Sequence, residues 1–163
     1  MYVSPNQKYV IVYHRADKEK FCRLTLYDIE KKLELADTAP GMQCDNIMWF
    51  KYMILFVTGT SGGETVRAYN YNLISLYEIC SPPQIYINLE EGICFSYPIF
   101  SAEDGVFTRY DLNNGDVLEE FDYMARVHVN YVCRSVKYKG NRTYQFELET
   151  FDPDSIVTVS KTF

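Results

Sequence analysis

The chain has 163 residues, enough to bury a core and within the size of one domain, about 100 to 200 residues. Its net charge of −6, from 16 basic and 22 acidic residues, argues against a surface that tracks nucleic-acid phosphates. Aromatic residues reach 16%, with 15 Tyr and 10 Phe, which favours sheet over helix, and the longest apolar stretch, residues 47–57 broken by Lys51, falls short of the roughly 20 residues that span a bilayer.

The opening Met1-Tyr2-Val3-Ser4-Pro5-Asn6 has neither the charged nor the apolar region of a secretory signal, so a cytoplasmic location is the default expectation. In the first 40 residues the pattern predicts a short strand at 1–4, an apolar strand at 9–13, a turn at 16–20 and an alternating strand at 22–27 that closes on Tyr27-Asp28. Residues 41–83 repeat this order: strands at 46–50 and 52–57, a glycine-rich turn at 59–64, and an alternating strand ending at Tyr69-Asn70. Residues 84–125 do so again, with strands at 84–87 and 92–97, a turn at 101–105, and a strand ending at Tyr110-Asp111. There the turn Asn113-Asn114-Gly115-Asp116 leads into a fourth strand at 117–121. In residues 126–163 strands are predicted at 127–129, 131–136 and 144–151, the last closing on Phe151-Asp152, with a final strand at 156–159.

The aromatic anchors Tyr27, Tyr69, Tyr110 and Phe151 are spaced 42, 41 and 41 residues apart. Four strands in about 41 residues make one propeller blade, so the expected fold is all-β: a β-propeller of four four-stranded antiparallel blades in a single domain. One blade cannot bury both its faces, so the aromatic rows are expected to fill the seams between neighbours. The side chains of Asp28, Asn70, Asp111 and Asp152 are placed to bond the backbone of the following turn.

The segment Tyr110-Asp111-Leu112-Asn113-Asn114-Gly115-Asp116-Val117-Leu118 resembles the strand-turn-strand end of a WD-repeat blade, with Tyr in place of Trp. Ser4-Pro5-Asn6-Gln7-Lys8-Tyr9-Val10 likewise resembles the entry to the second strand of such a blade. The Gly-His pair that opens typical WD repeats is absent from all four units, so the resemblance is to a divergent, WD-like propeller. Four units in one register leave no spare strand to close a ring, and three assemblies follow: a small closed ring, a homodimeric ring of eight blades, or half of a propeller completed by another chain.

The five cysteines, Cys22, Cys44, Cys80, Cys94 and Cys133, contain no C-x-x-C pair and read as buried apolar thiols. Cys94 and Cys133 are expected at the same place in successive units. His14 and His128 lie nearly three repeats apart, so no metal site is expected, and no cofactor-binding motif is found, since the glycine-rich turn lacks the Lys of a phosphate loop. The acid pairs Glu90-Glu91 and Glu119-Glu120 are expected as solvated charges on strand edges. Residues 101–108 loosely resemble the aspartate box of sialidase-type propellers.

No catalytic constellation emerges. The leading expectation is therefore a non-catalytic scaffold for a protein or peptide partner, with Trp49 and Arg126 as candidate contact residues because hot spots favour Trp and Arg. Two alternatives are a hydrolase or a small-molecule or glycan binder using carboxylates at the channel mouth, and a structural subunit that completes a larger propeller. Asn141-Arg142-Thr143 would accept a glycan only in a secreted protein.

Overall fold

The computed structural model describes residues 1–15, 22–38, 46–60, 63–81, 84–97, 106–123, 131–151 and 154–163. These residues form 15 strands, and no helix among them is long and apolar enough to cross a membrane. The chain divides into two compact units, Met1–Cys80 and Ser81–Phe163.

The first unit holds two antiparallel meanders. β1 (Tyr2–Val3), β2 (Tyr9–Arg15), β3 (Cys22–Asp28) and β4 (Leu33–Thr38) pair in that order, as do β5 (Asn46–Phe50), β6 (Met53–Thr60), β7 (Gly63–Tyr69) and β8 (Ser75–Ser81). Leu24 and Leu26 of β3 face one way and Arg23 and Tyr27 the other, the two-residue period of a strand. The apolar side meets β5–β7, so that Ile11, Leu24, Leu26, Ile47, Ile54, Phe56, Tyr69 and Leu73 form one core. Met53, Ile54, Leu55 and Phe56 are successive and all buried, so both faces of β6 are covered, which explains a continuous apolar run where β3 alternates.

The second unit holds β9 (Gln84–Asn88), β10 (Ile93–Tyr97), β11 (Phe107–Asp111) and β12 (Val117–Phe121), again in meander order, and the sheet β13 (Tyr131–Gly140), β14 (Thr143–Phe151) and β15 (Asp154–Thr162). Among the described residues this last sheet has three strands against the four expected; the strand predicted at 127–129 lies outside them. β14 shows the cleanest alternation: Tyr144, Phe146, Leu148 and Thr150 are buried and the residues between them are half-buried. The inward set joins Phe95, Tyr97, Phe107, Tyr123, Tyr131, Cys133 and Val136 in one core. Its rings meet edge-on at Phe95–Phe146 (5.7 Å) and Phe107–Phe146 (5.2 Å) and stack at Phe107–Phe121 (5.2 Å), geometries that suit the ring quadrupoles.

The repeat anchors coincide with an irregularity. At Leu26/Tyr27 and at Arg109/Tyr110 the register against the fourth strand shifts, leaving Leu35 and Leu118 as extra residues on β4 and β12. A bulge of this kind kinks a strand and re-aims its side chains. The thiols do not share one place, contrary to the sequence expectation: Cys94 pairs with the anchor Tyr110, whereas Cys133 pairs with Leu148, three residues before Phe151. Both are buried thiols in no disulfide, so the same small residue serves two different packing positions.

Candidate functional site

The anchor polar groups act on turns. Asp28 Oδ1 accepts from Lys31 N at 3.0 Å, Asn70 Oδ1 from Asn72 N at 2.9 Å and Ile74 N at 3.0 Å, and Asp111 Oδ1 from Asn113 N at 2.7 Å. Each bond satisfies a turn amide that has no strand partner. The Lys31 amide, with the nearby ammonium groups of Lys31 and Lys8, holds the Asp28 carboxyl below its ordinary range despite burial. Gly115 reaches φ 82° in the turn after Asp111, where a side chain would be strained. Asp152 lies outside the described residues.

Trp49 is half-buried at the edge of the first unit's core, its ring edge-on to Tyr71 at 5.7 Å. Its indole Nε1 is buried with no acceptor among the described residues. Arg126, His128 and Cys44 lie outside the described residues, as do residues 101–105 of the aspartate-box-like segment. His14 is exposed on β2. Among the described residues no group of three or more His, Cys, Asp or Glu side chains is placed to hold a metal ion.

The first acid pair is placed differently from expectation, while the second lies on the edge strand β12 as expected. Glu90 and Glu91 lie in the turn between β9 and β10, where their amides donate to Asn88 Oδ1 at 3.0 and 3.2 Å, and they are not on a strand edge. Glu91 accepts from the Tyr138 hydroxyl. Glu119 is half-buried on β12 and is bonded by Lys161 of β15, while Glu120 is exposed.

These contacts border a cleft of about 290 Å³ in the second unit, lined by Glu91, Ile93, Arg109, Leu118, Arg142, Tyr144 and Phe163. Its residues come from the start of β10, the bulged pair β11–β12, the β13–β14 turn and the end of the chain. Leu118, the bulge residue of β12, forms one wall. Arg142 is held by a two-residue turn closed by Gly140 and Thr143, with Asn141 at φ 51° and Arg142 at φ 57°. That left-handed pair is the turn matching the twist of a hairpin, though it strains a residue with a long side chain.

Arg109 lies deepest in charge terms. Its side chain is 13% exposed, its guanidinium sits 4.3 Å from the centre of the Phe163 ring, and Glu119 is 3.7 Å away, outside hydrogen-bond reach. Its Nε is buried with no partner among the described residues. Burial pushes the guanidinium below its ordinary value, the nearby Arg142 adds to this, and Glu119 offsets part of it. Tyr144 accepts from Asn88 Nδ2 at 3.1 Å, and burial pushes its phenol up to about 12.

In each of the first three sheets an Arg of the third strand lies near an acid of the fourth, though not at one position: Asp37 is in register with Thr25, two residues beyond Arg23, whereas Glu119 is in register with Arg109 itself. In the first, Arg23 Nε donates to Asp37 at 2.8 Å; in the second, Arg67 Nε donates to Glu78 at 2.6 Å. In the third, Lys161 takes Glu119 and the Arg109 contact opens to 3.7 Å. Sequence reasoning missed this cleft; its one local signal is an Arg within the alternating strand ahead of Tyr110.

No protein-family model matches the sequence, and no curated protein matches it. Among solved structures the chain is similar to the crystal structure of BamB from Moraxella catarrhalis, a β-propeller, with TM-score 0.51 and 7% sequence identity. The match covers 98% of this chain and 52% of BamB, so the chain spans about half that structure's length. Four antiparallel sheets in meander order, together with this likeness over nearly the whole chain, make the fold a β-propeller.

Proposed function

We propose that the chain is a protein-interaction module, an incomplete propeller of divergent WD-like blades completed by a second copy or by another propeller chain. The observation that carries this reading is the match of nearly the whole chain to about half of a larger propeller. The sheets at the two ends of the sequence support it. In the first unit, the face of β1–β4 opposite the core carries Arg23–Asp37 and Tyr27–Glu34. In the second, the face of β13–β15 opposite the core carries Arg134–Glu149 and Lys137–Glu147. Faces that carry exposed ion pairs suit a reversible polar association better than a permanent apolar one.

Light scattering at two protein concentrations and two salt concentrations tests this. Self-completion predicts a mass rising from 19.1 kDa towards twice that value with concentration and falling with salt, because screening weakens exposed ion pairs. A folded monomer throughout removes self-completion. If affinity capture then also recovers no propeller-type partner, the reading is wrong.

A further inference from the structure

We infer that the cleft of the second unit binds a carboxylate group, carried by a small free acid or by an acidic side chain of a peptide, between Arg109 and Arg142. The inference goes beyond the interaction reading and does not depend on ring completion, since every lining residue belongs to one unit.

Four observations carry it. The Arg109 side chain is 13% exposed and lines the cleft, its Nε has no acceptor among the described residues, and Glu119 stands 3.7 Å from it. A guanidinium is a planar fork of five donors, and the part of the fork that faces the cleft offers a carboxylate charge-assisted bonds that Glu119 at 3.7 Å does not make. Second, the intramolecular candidate is engaged: Glu119 is bonded by Lys161, itself 4.2 Å from the Phe121 ring centre and 4.9 Å from that of Phe163.

Third, Arg142 is brought to the same cleft, beside Arg109, by the two-residue turn between β13 and β14. Fourth, the rest of the lining is chemically matched. Ile93, Leu118 and Phe163 offer apolar walls for a carbon stem, and the Tyr144 hydroxyl, already accepting from Asn88, has its own proton to donate. Glu91 is the one acid in the lining and accepts from Tyr138. Two cations against one anion leave the cleft net positive in a chain that is net negative, which focuses an anionic ligand there.

The test is NMR of the full chain, following the Arg side-chain Nε–H resonances. Glutarate, a capped peptide with one Glu flanked by glycines, and inorganic phosphate are titrated in turn. The inference expects a saturable shift of the Arg109 resonance with glutarate, the peptide or both, and which one acts identifies the source of the carboxylate. Arg109→Gln and Arg142→Gly should each weaken binding by about ten-fold or more, one charge-assisted bond's worth, while Arg23→Gln leaves it unchanged. Arg142→Gly guards against misfolding as the cause, because glycine relieves the turn and its melting temperature should be equal or higher. No saturable shift with either carboxylate, binding untouched by Arg142→Gly, or phosphate binding as tightly as carboxylate would each overturn the inference.

Discussion

In the first unit the seam between sheets is mainly aliphatic, built on Ile11, Leu24, Leu26, Ile47 and Ile54, with Phe56 and Tyr69 at one side. In the second it is aromatic, built on Phe95, Phe107, Tyr131, Tyr144 and Phe146, with Phe121 and Phe163 packed against it. Branched aliphatic chains interdigitate and seal, as protein interiors generally do. Rigid rings carry polar tips, so the second unit also buries an Asn88–Tyr144 hydrogen bond and lays an almost buried arginine over the Phe163 ring. The same blade plan therefore gives a buried aliphatic set in one unit and an aromatic seam bordering a charged cleft in the other.

The largest effect should come from the aromatic seam. Phe146→Ala removes a ring that is 0% exposed and meets four others, Phe95, Phe107, Phe121 and Tyr123, and is expected to cost about 3–5 kcal/mol in urea unfolding. Trp49, the single tryptophan, lies in the first unit. If its fluorescence transition moves with the circular-dichroism transition, the two units unfold together; if it stays, each unit is its own cooperative block.

Alkali should act next, again through the second unit. Burial raises the Cys133 thiol from 9.0 to about 12 and the Tyr144 phenol from 10.0 to about 12. The unfolded chain loses these protons first, so stability is full below about pH 9 and falls as pH rises towards 12. Cys133→Ala should flatten the loss, read from melting temperatures across that range, and its thiol should resist modification at pH 8 until the protein unfolds.

Tyr144→Phe leaves the buried Asn88 Nδ2 without its acceptor and is expected to cost about 1–3 kcal/mol. Arg142→Gly should instead stabilise by about 1 kcal/mol, since φ 57° carries no steric cost for glycine. Were it destabilising, the arginine side chain would be holding the cleft together. Arg23→Gln should have the smallest effect. Its 62% exposed side chain pairs with Asp37 in water, and only a slight, salt-dependent shift in melting temperature is expected.

Much of the fold was legible because it is local. The strand predicted at 117–121 is β12, that at 46–50 is β5, and the alternation at 144–151 is the buried face of β14. Each follows from the two-residue period of a strand and from turn residues at fixed offsets, which neighbours along the chain decide. The glutamates at 90 and 91 were misplaced for the opposite reason: Asn88 draws both amides into a turn, a competition that apolar patterning does not record.

The sequence by itself determined the all-β repeat and the turn-binding roles of Asp28, Asn70 and Asp111, since periodicity and turn chemistry are properties of short segments. Tertiary structure decided which arginine became unusual. Arg23, Arg67 and Arg109 each lie on the third strand of a sheet near an acid of the fourth. What separates Arg109 is Lys161, a residue of the adjacent sheet that takes Glu119 from it, and Phe163, which covers it. Both reach the site across more than 40 residues of chain, a proximity created by packing one sheet on another and by nothing in the local pattern.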